Sequence, residues 1–427
     1  MGRSAGPRRL QGQREAQQGQ NSKDIKDIHR IKAPLLEPAV ERRSAKQLPP
    51  PAGGLPYDDL QRHHAALQPV GQSQRQGQPG PADAQGHTAQ RTGQELASHR
   101  AGAELSGFEY TLVYYIIKDI NAPLLYITLT RGAHLLNAFA QEFQENHPGI
   151  HLMHSEHMAL RGPMRIDMRH LSEEKIREVE ELLFSTERPV QERFFKGRGV
   201  DFRTGEIELW PTDCYLCGGH GLTGIRINER GESSVPGLYA AGDVSLVARG
   251  HLSGAFTYGQ ITAENATEYA RTVADPVIDD EQVMDVIRDR DAKLAQTGGQ
   301  VPIEEFEYKV RRLINDYVRP PKNEYKLDRA LWWMDRFRSE LRTEVCIRNQ
   351  HDLFKAYEVE NIIQCAAMSA VASKERKESR WGLWHMRSDY PVKDDAQWLK
   401  HIVLTQGDSL EDIRVSYVPV IKMEETA

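Results

Sequence analysis

The chain is 427 residues long, 39% apolar and 27% charged, with 33 Gly, 22 Pro and a formal net charge of −6. This balance excludes a fibrous repeat, a disulfide miniprotein and a membrane bundle, and at roughly 100–200 residues per domain the length implies two or three domains with a real core. Only 4 cysteines point to a reducing, cytoplasmic setting; no run approaches the roughly 18 apolar residues of a spanning helix, and the slightly acidic balance argues against nucleic acid as a partner.

Residues 1–98 contain one aromatic, Tyr57, although the chain has 6 Trp, 15 Tyr and 11 Phe. They hold 15 Gln, and 14 Lys plus Arg against 9 Asp plus Glu. Without large apolar groups to offset its ordering entropy, the segment reads as disordered, basic and Gln-rich. A nucleic-acid-binding arm would interleave Arg with aromatics, and those are missing. From residue 99 the texture is globular. Phe108–Ile120 and Leu124–Thr130 are β-branched and aromatic and predict two strands, and Leu135–Phe143 has helical spacing. His170–Phe184 predicts a helix with Ser172 as N-cap and glutamates in its first turn. Strand texture returns at Ile207–Trp210, Ile225–Asn228 and Val235–Ala240, with a turn at 229–232, and Gly254–Ala274 is again helical. Four amphipathic helices follow: Glu281–Leu294, Glu304–Val318 (stopped by Pro320-Pro321), Tyr325–Val345 and Asp352–Ser373. Short polar breaks between them indicate an antiparallel bundle. Trp398–Gln406 and Ile413–Val420, around Gly407-Asp408-Ser409, read as a β-hairpin.

Gly219-His220-Gly221-Leu222-Thr223-Gly224 matches G-x-G-x-x-G, but the dinucleotide fingerprint needs a helix next, and Ile225-Arg226-Ile227-Asn228 alternates like a strand. Cys214 and Cys217, with His220, lack a second cysteine pair; His151, His154 and His157 drift around a helix, so two buried thiols are a better account than a zinc or redox site. Ser234–Val244 (SVPGLYAAGDV) is the strongest signal. Pro-Gly opens an apolar segment, Gly242-Asp243 brings a carboxylate to a closely approachable backbone, and Ser253-Gly254 opens a helix whose N-terminus favours negative charge.

Ser234–Ala266 resembles the closing flavin-binding stretch of the fumarate reductase and succinate dehydrogenase flavoprotein family. Arg100–Tyr110 looks like the family's junction into its capping domain, Thr130–Asn137 (TRGAHLLN) resembles the Arg-Gly loop of that domain, and Glu378–Trp398 resembles the C-terminal signature. The signature comprises Glu378-Ser379-Arg380, His385, Arg387, Asp389-Tyr390-Pro391 and Asp394-Asp395. The resemblance implies FAD as cofactor, held here by Gly242, Asp243, Ser253 and Gly254, with ribityl hydroxyls on Asp243. It implies hydride transfer between flavin and a small anionic substrate, a dicarboxylate in the family. Arg131 stands where the family keeps a proton-donating arginine and Arg249 near its substrate-carboxylate arginine; His220 and His251 are weaker candidates for polarising a carboxylate. The spacing Trp381-Gly382-Leu383-Trp384 before His385, with Gly219-His220-Gly221, tilts toward the adenylylsulfate reductase alpha-subunit-like branch. Arg380, His385 and Arg387 are read as a paired network pinning the C-terminal segment to the cap, in preference to a pocket lining.

Family members open with a strand-G-x-G-x-x-G-helix, and residues 1–98 carry no such sequence. The expectation is a chain that lost that half through truncation or a change of reading frame. The expected fold is α/β: a partial FAD-binding domain (99–275) with an inserted α+β capping domain (about 110–225), a helical domain (276–375), and a signature segment with hairpin (376–427). An iron-sulfur electron-transfer subunit as partner, and a cytoplasmic location with any membrane contact peripheral at the inner face, are implied by the resemblance. No metal site is expected. The rival readings are a non-catalytic remnant and a protein-binding scaffold built on the helical domain.

Overall fold

A computed structural model describes residues 93–420, apart from 112, 114, 119–124, 143–152, 154–155, 158–159, 188–191, 217–221, 248–250, 276, 381–383 and 410. All of them belong to one compact unit, residues 79–427. Most of the segment expected to be disordered therefore lies outside the described residues. Its end does not fit that expectation: residues 93–100 are helical, with Leu96 fully buried in the main core. The low aromatic content of the whole segment hid one apolar anchor.

The architecture mixes α and β, with a helical region toward the C-terminus. The main core is built by helices that bury one stripe each. In α7 (Ile303–Tyr317) the stripe is Ile303, Phe306, Val310 and Ile314; in α8 (Glu324–Thr343) it is Leu327, Ala330, Met334, Phe337 and Leu341. Both follow the 3.6-residue period. In α9 (Gln350–Glu375) residues 362–370 are all buried, as suits a helix packed on several sides. Phe306 and Phe337 meet edge to face with centroids 5.7 Å apart, and Trp333 stacks on Phe337 at 5.5 Å. The boundaries have local causes. Asn323 accepts the Lys326 N–H at 2.9 Å, Asn349 accepts that of Asp352 at 3.1 Å, and Asp279 caps α6 (Asp280–Leu294) by accepting from Glu281.

A four-stranded antiparallel sheet lies against this bundle. Its central strand β9 (Lys400–Gln406) pairs on one side with β10 (Ile413–Pro419) and on the other with β1 (Leu105–Ser106), which pairs in turn with β6 (Gly224–Ile225). The expected hairpin is thus present, and it is half of a larger sheet. A second antiparallel sheet, in the order β2 (Tyr115–Ile117), β5 (Ile207–Pro211), β4 (Met164–Asp167), β3 (His134–Leu136), has its own core with Val179, Leu183, Phe195 and Phe202. Ser172 caps α3 (Glu173–Glu181) as expected, accepting from the Lys175 N–H at 3.4 Å. A short helix, α4 (Glu192–Gly197), supplies Phe195. A two-residue parallel pair, β7 (Val301–Pro302) and β8 (Val345–Cys346), completes the pairing.

Three local expectations are corrected. Leu125–Leu129 is a short helix, α2, not a strand, because β2 takes its partner from β5 far along the chain. Leu135 lies in strand β3, paired with Ile166, not in a helix. Val235–Ala240 is a turn with one bridge between Glu232 and Tyr239: Leu238 N–H donates to Val235 O at 3.0 Å and Gly237 has φ +82°. Pro236-Gly237 closes that turn and does not open a strand.

Candidate functional site

The strongest sequence signal maps to a 3₁₀ turn, Gly242–Val244, laid between β6 and the start of α5 (His251–Ala270). Two glycines allow the close approach. Gly242 has φ +72°, and a Cβ there would lie 3.5 Å from the Ala255 Cβ. At Gly224 a Cβ would run into the Val244 carbonyl. The turn is locked by Leu246 N–H donating to Ile225 O at 2.8 Å and by Ser245 Oγ donating to Gly242 O at 2.7 Å. Asp243 is thereby set beside the first turns of α5, and its side chain is exposed. Ser253 is exposed and Gly254 half-buried in those turns; the helix starts two residues earlier than expected, at His251. Leu252 and Phe256 stand 75% and 76% exposed beside Ser253, so this end of α5 forms an open, partly apolar surface. Gly242, Asp243, Ser253 and Gly254 are thus gathered at one place. As a cradle they fit a ligand with hydroxyl donors and a group favoured by a helix N-terminus.

Arg131 belongs to the second sheet's unit, where it is tied locally: Nε donates to Glu178 at 2.9 Å and Nη1 to the Ile127 carbonyl at 3.1 Å and to Thr130 Oγ1 at 3.2 Å. Next to it His134 and His170 lie ring against ring at 3.9 Å, with His170 Nε2 2.9 Å from the Gly132 carbonyl oxygen. Arg249 and His220 lie outside the described residues, as do His151, His154 and Cys217, and the His251 side chain is likewise undescribed. Burial pushes the Cys214 thiol up, against the pull of nearby Lys322. Strand β6 begins at Gly224 itself, where the dinucleotide fingerprint would need a helix.

The C-terminal signature forms a buried ionic network, as read from its pattern of Arg and Asp. Arg380 Nε donates to Glu378 at 2.6 Å and its Nη2 to Asp395 at 2.8 Å. Arg387 grips Asp389 through Nε at 2.8 Å and Nη2 at 2.7 Å. His385 donates from Nε2 to the Arg376 carbonyl at 3.1 Å; burial, aided by the Lys322 charge, holds its pKa well below the usual histidine value, so the ring is neutral. Two members of the network escaped the sequence reading. Arg376, 1% exposed, donates to Glu109 at 2.8 Å and Glu378 at 3.0 Å, joining the segment that follows β1 to the C-terminal segment. Lys322, fully buried, donates to the Glu109 carbonyl at 2.7 Å and Ser373 Oγ at 2.9 Å. The available signal was a carboxylate, Glu109, set between Phe108 and Tyr110 in an apolar run, which demands a buried cation.

Comparison with known proteins bears on this arrangement. The family model "Fumarate reductase flavoprotein C-term" matches residues 307–426. The succinate dehydrogenase flavoprotein subunit of Rickettsia conorii is 26% identical over 240 residues, covering 52% of this chain and 40% of that protein. The chain thus spans about two fifths of the length of the curated relatives it matches. Adenylylsulfate reductase from Archaeoglobus fulgidus superposes with a TM-score of 0.66 at 20% identity, covering 76% of this chain and 61% of that one. Quinol fumarate reductase from E. coli superposes with a TM-score of 0.63 at 18% identity, covering 78% and 62%. Residues 307–426 thus match the C-terminal domain model of the fumarate reductase flavoproteins, and the chain as a whole is similar to flavoprotein subunits of the succinate dehydrogenase and fumarate reductase kind.

Proposed function

We propose that the chain is the substrate-capping and C-terminal part of an FAD-dependent oxidoreductase acting on a small anionic substrate, a dicarboxylate. The observation that carries this reading is the Gly242–Val244 turn laid on the start of α5, in a chain similar to these flavoprotein subunits. FAD, when bound, supplies the hydride donor or acceptor. Asp243 would accept hydrogen bonds from its hydroxyl groups, Gly242 would leave the backbone open to it, and the α5 N-terminus at Ser253-Gly254 would favour negative charge on it. Arg249 holds a substrate carboxylate and Arg131 delivers the proton, with His220 and His251 polarising the substrate. In this reading residues of about 110–225 cap the site, 99–275 carry the remainder of the flavin domain, and an iron-sulfur subunit exchanges electrons with it. No helix of the described residues is long and apolar enough to cross a membrane.

A second reading, a non-catalytic remnant, is favoured by the exposure of Asp243, Ser253 and Phe256. Flavin absorbance separates the two. The full chain purified and incubated with FAD is expected to retain flavin near one per chain, and Asp243→Ala to lower that occupancy. A colourless protein that takes up no FAD leaves the remnant reading standing and overturns the first.

A further inference from the structure

A cleft of about 180 Å³ opens among α6, α8 and α9, far along the chain from the Gly242 turn. A cavity of about 150 Å³ already accommodates a benzene-sized molecule. Its lining is divided by charge. On the α8 side are Arg338 and Arg342, one helical turn apart. Arg338 is 9% exposed; its Nη2 donates to the Gln364 amide oxygen at 2.7 Å and its Nη1 to Asp335 at 2.6 Å. Burial pulls the Arg338 pKa down, against the opposing pull of Asp335 and Glu411. Glu411, on the turn between β9 and β10, faces both arginines and is the resident anion of that side.

The opposite side reverses the balance. Asp289 and Glu360 share one ammonium: Lys293 Nζ is 2.7 Å from Asp289 and 3.9 Å from Glu360. Between the two sides lie Leu341, Ile347, Ala356 and Ile363. A simple anion would meet Asp289 and Glu360 in this cleft, and a simple cation would meet the arginines. Only a ligand carrying both charges on a short apolar body satisfies both sides.

We propose that this cleft binds a small zwitterionic amino acid, its carboxylate bridging Arg338 and Arg342 and its ammonium facing Glu360. The ligand's carboxylate competes with Glu411 for the two arginines.

The test is isothermal titration of the full chain with L-leucine, chosen for the apolar floor, and with its two half-charged analogues, 4-methylpentanoate and isopentylamine. Leucine is expected to bind at least about tenfold more tightly than either analogue. Arg342→Gln and Glu360→Gln, neither at a fully buried position, are each expected to weaken leucine by a similar factor, and Glu411→Gln to strengthen it. No leucine binding by roughly 20 mM, analogues that bind as well as leucine, or variants that bind it unchanged would each overturn the proposal.

Discussion

Removing the Arg376 guanidinium tests the buried network most directly. The group donates to Glu109 and Glu378, and also to the carbonyls of Trp398 at 2.9 Å and Lys400 at 2.8 Å. In Arg376→Met, Glu378 keeps Arg380 and the Asp394 N–H at 2.8 Å, so its charge stays compensated. Glu109 is 1% exposed and loses its ion-pair partner. Stranding one carboxylate in this way costs about 3–5 kcal/mol. The assay is urea denaturation at pH 7, in which the midpoint falls by that amount divided by an unchanged slope. One internal check follows. Glu109→Gln added to Arg376→Met restores part of the loss, because the stranded charge is gone. A loss below about 1 kcal/mol, or a double variant as unstable as the sum of the singles, would refute the claim that the network compensates buried charge.

Lys322 gives a pH signature of opposite kind. Burial pushes its ammonium down to about 7 from 10.5. Between those values the unfolded chain holds a proton that the folded chain lacks, so this residue makes stability rise with pH across that window; below about 7 the fold carries the buried charge at full cost. Lys322→Met should flatten stability between those pH values by an amount on the order of 5 kcal/mol at most, and an unchanged slope in a denaturation series would rule the assignment out. Gly242→Ala should lose about 1 kcal/mol from its left-handed φ of +72° alone, since the new methyl meets Ala255 at an ordinary 3.5 Å; a calorimetric midpoint equal to the parent's would contradict this.

The helices of the C-terminal half were legible because their periodicity, caps and the Pro320-Pro321 stop are local signals. Asp280–Leu294, Ile303–Tyr317, Glu324–Thr343 and Gln350–Glu375 all stand within two residues or so of the periodic stretches at their starts. The strands were harder, because their partners are distant. Leu135 reads as helical until Ile166 is known to lie beside it, and Leu125–Leu129 has strand residues with no strand to pair with. At the candidate site, Gly242-Asp243 could be read from the demand for a small residue beside a carboxylate. Lys322 and Arg376 could not, because the residue both bind, Glu109 by its carbonyl and its carboxylate respectively, lies more than two hundred residues away.

The first sheet has a consequence for the order of synthesis. Ser106 Oγ donates to the Ile402 carbonyl at 2.7 Å across a separation of 296 residues, and β1 sits beside β9. A nascent chain therefore emerges from the ribosome with β1 and Leu105 paired at most to β6 until β9 has been made, whereas the second sheet, β2 to β5, can close early. During that interval the exposed edge and the half-built bundle are the natural targets of holding chaperones, and a nonsense codon anywhere before β9 would leave them in that state permanently.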